Sequence, residues 1–226
     1  MIGLTILAFS SQLSAQQYIG GSGLLKIPGG ELRPDKTVII GSNYLPEGIE
    51  TARIHYNTAN YFFSISFLPF LEANYYLTFL KDNAGVFNQQ DRSFGLKLRA
   101  WKEKAARPSL LLGMNDFYTH TAEENNQTFA SIYLVSDKTL PIQDHRLKLT
   151  LGYGFRFKGK SNLNGLFGGL RFYPAKLNWL ELLAEYDSKH LNCAVSVLLW
   201  KHLSLYGGWY GIGEPAAGLA YRFQLP

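Results

Sequence analysis

Ser188, His190 and Asn192 fall within one five-residue stretch. A serine, a histidine and an orienting amide are the parts of a nucleophilic hydrolase. Asp116, Thr119 and His120 form a second group of the same kind. Residues of these types are also common in polar loops, so the expectation is a protein that is not an enzyme, with no catalytic residues, no cofactor and no metal. A hydrolase of membrane lipid stands as the rival. Glu181 and Glu185 would lie about 13 Å apart along a strand, beyond the roughly 5–9.5 Å between the carboxylates of glycoside hydrolysis. A structural pairing suits them better. The five histidines (His55, His120, His145, His190, His202) have no metal-ligand spacing. Cys193 is the single cysteine, which excludes an internal disulfide and a Cys-based zinc site. Gly20, Gly21 and Gly23 lack the preceding strand and following helix of a phosphate loop.

The elements that must position these groups have a period of two. Leu71, Ala73, Tyr75, Leu77 and Phe79 alternate with Glu72, Asn74, Tyr76 and Thr78. Phe94, Leu96 and Leu98 alternate with Gly95, Lys97 and Arg99. Leu147, Leu149, Leu151, Tyr153 and Phe155 alternate with Arg146, Lys148, Thr150, Gly152, Gly154 and Arg156. Successive side chains of a strand point to opposite faces, so each ribbon has an apolar face and a polar one. Charged residues are only 17% of the 226, aromatics are 15%, and glycines number 22. The charge is low for a soluble domain, which has roughly 25%. Mean hydropathy is −0.08, and no apolar run is long enough for a spanning helix.

Turn signals predict twelve strands, near 37–45, 51–67, 71–81, 92–101, 108–117, 128–138, 146–157, 164–173, 179–187, 190–200, 203–210 and 215–224. Ten tilted residues rise about 25 Å, the height of the apolar band of an outer-membrane barrel. The fold class is therefore all-β: an antiparallel up-and-down transmembrane barrel spanning 37–226, with both termini periplasmic. Tight links at 68–70, 106–107, 174–178 and 201–202 belong to the periplasmic side, and longer polar ones at 82–91 and 118–127 to the outer side. A lysine or arginine facing lipid at midplane costs about 2–4 kcal/mol, so the charged parity faces the lumen. That inward set is Glu72, Lys97, Arg99, Arg146, Lys148, Arg156, Arg171, Glu181, Glu185 and Arg222. Seven basic and three acidic residues give +4, against +5 for the whole chain.

Such a lumen is either a structural core of paired charges or a cationic interior that meets an anionic solute or glycan. A narrow, general or anion-preferring porin is a further alternative. Basic residues that alternate with apolar ones argue against nucleic acid. Aromatics at predicted strand ends (Tyr61-Phe62-Phe63, Phe117-Tyr118, Tyr173, Trp179, Trp200, Trp209-Tyr210) fit interfacial girdles. Cys193 shares the outward parity of Leu191, Val195 and Val197, and reads as a small apolar residue.

Residues 2–9 are a short apolar block followed by a polar stretch and Ala15. This predicts a secretory signal peptide over 1–15. Residues 16–36 form a glycine-rich segment, a periplasmic tail or a lumen plug. Leu24, Leu25 and Ile27 favour docking at or inside the barrel mouth.

Gly20–Pro28, with its Gly-x-x-Gly-Leu and following proline, resembles the opening of the YjbH-like outer-membrane proteins associated with exopolysaccharide secretion. The order of motifs across 18–157 is similar too: Asp91-Arg92-Ser93 with Lys97-Leu98-Arg99, then Pro108, Leu112-Gly113 and Asp116, then Phe129 and Tyr133–Lys138, then Leu151–Gly154. The last strand, with Gly218, Tyr221 and Phe223, resembles the signal read by the barrel-assembly machinery. The resemblance implies an outer-membrane location in a Gram-negative bacterium and a role in export or assembly of a surface polysaccharide. It implies outer-membrane lipid, lipopolysaccharide and the assembly machinery as partners, with an anionic polysaccharide or periplasmic export proteins as further ones. It carries no catalytic set.

Overall fold

The computed structural model describes residues 16–47, 49, 55–117, 130–155 and 163–226. Twelve strands follow in order: β1 (Thr37–Leu45), β2 (Thr58–Ser66), β3 (Leu71–Lys81), β4 (Phe87–Trp101), β5 (Leu110–Asn115), β6 (Ser131–Ile142), β7 (His145–Phe155), β8 (Gly165–Tyr173), β9 (Leu180–Tyr186), β10 (Leu191–Leu199), β11 (Leu203–Tyr210) and β12 (Glu214–Gln224). Each pairs antiparallel with its neighbours in sequence. β1 pairs with β12, from Thr37 opposite Gln224 to Tyr44 opposite Ala217, and closes the barrel.

The alternation of the sequence is the alternation of burial. Along β3, Glu72, Asn74, Tyr76, Thr78 and Leu80 are buried and their neighbours half-exposed. The outer surface carries exposed Phe63, Phe94, Leu112, Leu134, Leu151, Leu166, Leu170, Val195 and Leu219 on eight different strands. A one-residue slip would exchange the two sets, so register is fixed by the whole pattern.

Both strand termini, Thr37 and Gln224, lie at one end of the barrel, here the termini end. Its links are 67–70, 102–109, 143–144, 174–179 and 200–202; the far end has 46–57, 82–86, 116–130, 156–164, 187–190 and 211–213. The tightest links place non-glycine residues in the left-handed region. In the three-residue link 200–202, Trp200 and Lys201 do so in succession (φ 48° and 64°), and the His202 N–H closes the turn on the Leu199 carbonyl at 3.0 Å; the twist of such a turn matches its strands.

β2, β4 and β6 depart most from the sequence reading. β2 begins at Thr58 instead of 51. β4 begins at Phe87, because the polar run Gln89-Gln90-Asp91 pairs with Leu80, Phe79 and Thr78; polarity alone made it look like a loop. β6 continues to Ile142 through Pro141. Its ladder with β5 ends at Val135, so Pro141 pairs only with β7, and a strand with one neighbour tolerates a proline.

The barrel is filled. Residues 16–30 are buried apart from the half-buried Lys26. Tyr18, Ile19 and Leu25 join a core cluster with Phe62, Tyr76, Leu183, Tyr206 and Tyr210. Leu24 and Ile27 pack with Leu111, Tyr133, Val135 and Phe167. These partners are the inward residues of strands on opposite walls, so the glycine-rich segment occupies the lumen as a plug. Its glycines allow that fit. Gly20 has φ +83°, and a Cβ there would sit 2.4 Å from the Phe62 ring; inward-facing Gly169 leaves the space that Leu24 takes.

Candidate functional site

The plug is a short chain whose backbone groups must be satisfied in a closed interior. The barrel wall supplies the partners. On β1, β2 and β3, Asn43 and Asn60 donate to the Tyr18 carbonyl (2.7 and 2.6 Å) and Asn74 to that of Ile19 (3.0 Å). Asn43 also donates to Asn60 at 2.9 Å, its register partner, and accepts from Tyr206 at 3.0 Å. On the opposite wall the Glu185 carboxylate accepts the N–H groups of Leu25, Lys26 and Ile27 at 2.9, 2.7 and 3.3 Å. Asn192 donates to Glu185 at 2.9 Å.

Charge is paired inside this interior. Glu72 accepts the Ser22 N–H at 2.6 Å and lies 3.3 Å from Arg33 and 3.7 Å from Lys97. Lys97 also donates to Gln17 at 2.9 Å and to the Ser22 carbonyl. Asp137 joins Arg171 at 2.5 Å and accepts from Thr150 at 2.7 Å. Glu181 accepts from Tyr173 at 3.0 Å. A buried pair is costly to break, because one partner's loss strands the other charge.

At the far end Lys26 reaches the β9–β10 link and pairs with Asp187 at 2.5 Å. Burial pushes the Asp187 carboxyl up. Lys26 beside it, the His190 N–H and the Asn192 amide outweigh that and hold it below the ordinary carboxylate range.

A cavity of about 670 Å³ opens at the termini end. It lies between the β4–β5 link and the ends of β6, β7 and β8, and Glu31, just after the plug, reaches into it. Lys148 pairs with Glu31. The Arg146 guanidinium lies over the Tyr173 ring, 5.0 Å from its centroid. Glu103 accepts from the N–H and hydroxyl of Thr139 (2.8 and 2.9 Å) and lies 3.3 Å from Lys138. It thereby seals the edge that the short β5 leaves open.

The sequence-selected residues divide along the barrel axis. Lys97, Arg99, Arg146, Lys148, Arg171 and Arg222 all lie in the half nearest the termini, with Glu72 and Glu181; Glu185 lies towards the far end. Glu72, Lys97, Lys148, Arg171, Glu181 and Glu185 are buried, and Arg99, Arg146 and Arg222 are half-buried. Arg156, Thr119 and His120 lie outside the described residues, as do residues 1–15. Gly218 packs against Asn43 and Tyr206, Tyr221 is exposed, and Phe223 is half-buried opposite Val38 in the closing seam.

Three expected girdle aromatics face inward instead. Phe62, Tyr173 and Tyr210 are buried, because they share the parity of the lumen residues. Trp179, Trp200, Trp209 and Tyr61 are exposed; Tyr118 lies outside the described residues. Of the hydrolase candidates, Ser188 turns its hydroxyl to the Asp187 carbonyl. The Nδ1 of His190 is 4.0 Å from Asp187. Asn192 is engaged with Glu185, Asp187 and the Gly211 N–H. These residues clamp the loop that holds Lys26. Among the described residues, no group of three His, Cys, Asp or Glu side chains could hold a metal.

Asn43, Asn60 and Asp137 were not selected from the sequence as lumen residues, and Asn192 was selected only as a hydrolase candidate; Lys26, Glu31 and Arg33 of the plug segment were not selected either. A signal existed for the wall residues: each sits on the inward parity of its strand. The plug residues have no such periodicity.

Together these features define a plugged β-barrel, a closed antiparallel wall whose interior is occupied by the chain's own N-terminal segment. The family model described as exopolysaccharide biosynthesis protein YbjH matches residues 15–164, the plug and β1 to β7. The chain belongs to this YjbH family. No curated protein matches it.

Proposed function

We propose that the protein is a non-catalytic outer-membrane barrel that takes part in the export or assembly of a surface exopolysaccharide, with its termini in the periplasm. The observation that carries this reading is the outer surface. A ring of exposed Leu, Phe, Val and Tyr side chains surrounds a closed barrel with a polar interior. Soluble monomers rarely expose contiguous apolar patches beyond a few hundred Å², and closure gives every strand of the wall a hydrogen-bonded neighbour on both sides. Exposed Trp179 and Trp200 at the termini end and Trp209 at the far end suit the two interfaces. Family membership supplies the exopolysaccharide pathway.

The plug supports a gated conduit over an open porin, because the resting lumen is filled by residues 16–30. The inward cations gather towards the termini end, so a glycan arriving from the periplasm meets positive charge first. Two measurements test this. The protein should sediment with outer membranes and leave them only in detergent. Deleting the gene should remove surface polysaccharide, and the intact gene should restore it. A detergent-free, monomeric, soluble protein would refute the membrane reading; unchanged polysaccharide would refute the pathway.

A further inference from the structure

The cavity at the termini end is lined by two carboxylates: Glu103, beside Lys138 at 3.3 Å, and Glu31. Glu31 directly follows the plug, before the chain runs through Pro34 to β1, and its carboxylate is paired with Lys148. Glu31 is therefore tied to the plug on one side and to a wall cation on the other. Beside this pair, Arg146 lies on the Tyr173 ring and makes no ion pair among the described residues. A guanidinium over an aromatic face, with no carboxylate paired to it, has N–H donors that match a carboxylate with two parallel hydrogen bonds. Exposed Lys104 and the Glu103-paired Lys138 bring the lining cations to four, and Pro141 adds an apolar flank. The volume of about 670 Å³ falls within the roughly 300–1,000 Å³ of small-molecule sites, far more than a bare inorganic anion needs.

We infer that this cavity binds a carboxylate-bearing saccharide, and that Glu31 holds the ligand's place while the plug is seated. The inference rests on the polysaccharide reading above for the kind of polymer. The positive charge, the guanidinium over the Tyr173 ring and the carboxylate paired with Lys148 stand on geometry alone. A uronate unit entering the cavity would pair with Arg146 and compete with Glu31 for Lys148. Displaced, Glu31 would no longer anchor the plug's exit to the wall, so ligand arrival and plug release share one cation.

The test uses the full chain refolded in detergent and titrated calorimetrically with oligogalacturonate. A malto-oligosaccharide of equal length is the neutral control. The acidic oligomer should bind, with affinity that falls as salt rises, and the neutral one should not. Arg146→Ala should weaken binding about tenfold or more, the loss of one charge-assisted contact. Lys104→Ala, on an exposed link where folding is not at stake, should weaken it by a smaller factor. Glu31→Gln should tighten binding severalfold, because the internal competitor is gone. Equal binding of the two oligomers would overturn the inference, as would Arg146→Ala and Lys104→Ala variants that both bind like wild type, or a Glu31→Gln variant that binds more weakly. Loss of surface polysaccharide on gene deletion, without oligogalacturonate binding, would sink this inference and leave the export reading standing. Binding by a protein whose deletion leaves the polysaccharide unchanged would do the reverse.

Discussion

Glu185→Ala is the most informative single change to the plug. In the native protein the Glu185 carboxylate accepts three consecutive backbone N–H groups of the plug, at 2.9, 2.7 and 3.3 Å, and the Asn192 amide at 2.9 Å. Alanine removes every one of these acceptors. Of the three plug N–H groups, those of Leu25 and Lys26 lie nearest the carboxylate. Asn192 still reaches Asp187 at 3.1 Å, so it is only partly stranded. A buried donor left unpaired costs about 1–3 kcal/mol. Two such donors, plus part of the Asn192 contact, destabilise the docked plug by about 3–6 kcal/mol. Local opening is governed by local free energy, and each 1.4 kcal/mol is a factor of about ten. Exchange of the Leu25 and Lys26 amide protons in detergent should therefore speed up about a hundredfold to ten-thousandfold. The β1–β12 seam, remote from the change, should keep its protection. The same variant in a planar bilayer should show openings that wild type lacks. Wild-type protection at Leu25 and Lys26 in the variant would refute the argument that this carboxylate holds the plug.

Other perturbations reach the same interior by different routes. Glu72→Ala strands buried Arg33 and Lys97 together, and should cost about 3–5 kcal/mol, read as a lower unfolding midpoint in chemical denaturation. Gly20→Val forces a branched side chain into the left-handed region and against the Phe62 ring; overpacking of about 1–3 kcal/mol should raise protease cleavage within the plug and leave the heat-stable barrel band on a gel intact. The Lys26–Asp187 pair carries a pH signature. The Asp187 carboxyl is held below its ordinary range, so its contribution is complete above the unfolded value of about 3.9 and disappears as pH falls through the lowered folded value. Protection of the 24–27 amides should fall in that acid window, and Asp187→Asn should flatten the dependence while lowering protection at neutral pH.

The wall of this protein was legible because strand chemistry is periodic. The boundaries of β1, β3 and β11 match the sequence reading residue for residue, since turn residues such as Pro69 before β3 and Gly211 after β11 mark the strand ends there. Where the alternation is polar on both faces, as in Gln89-Gln90-Asp91, strand and loop look alike. Parity identified Glu72, Lys97, Arg171 and Glu185 as inward residues but gave no pairing, because cross-barrel contacts are not encoded locally. Glu72 meets Arg33 and Ser22, both from a segment with no period of its own. The same blindness placed Tyr173 and Tyr210 in a girdle: an aromatic near a strand end fits either face until the residue count decides. The mouth cavity was beyond sequence reasoning, since the β4–β5 link, β6, β7 and β8 build it together with Glu31.

The seam between the first and last strands joins Thr37 to Gln224, so the sheet cannot shut until nearly the whole chain has been made. Contacts this distant in sequence are slow to form, because the chain must first find itself across a very large loop. The asparagines of β1, β2 and β3 grip Tyr18 and Ile19, and Glu185 of β9 grips residues only a few positions later. Opposite staves are thereby tied to one short cord that is synthesised before any of them. Once both are tied, the remaining gap between β1 and β12 is a matter of a few strands' width instead of the length of a polypeptide. The segment that blocks the bore also serves as the mandrel on which the cylinder is rolled.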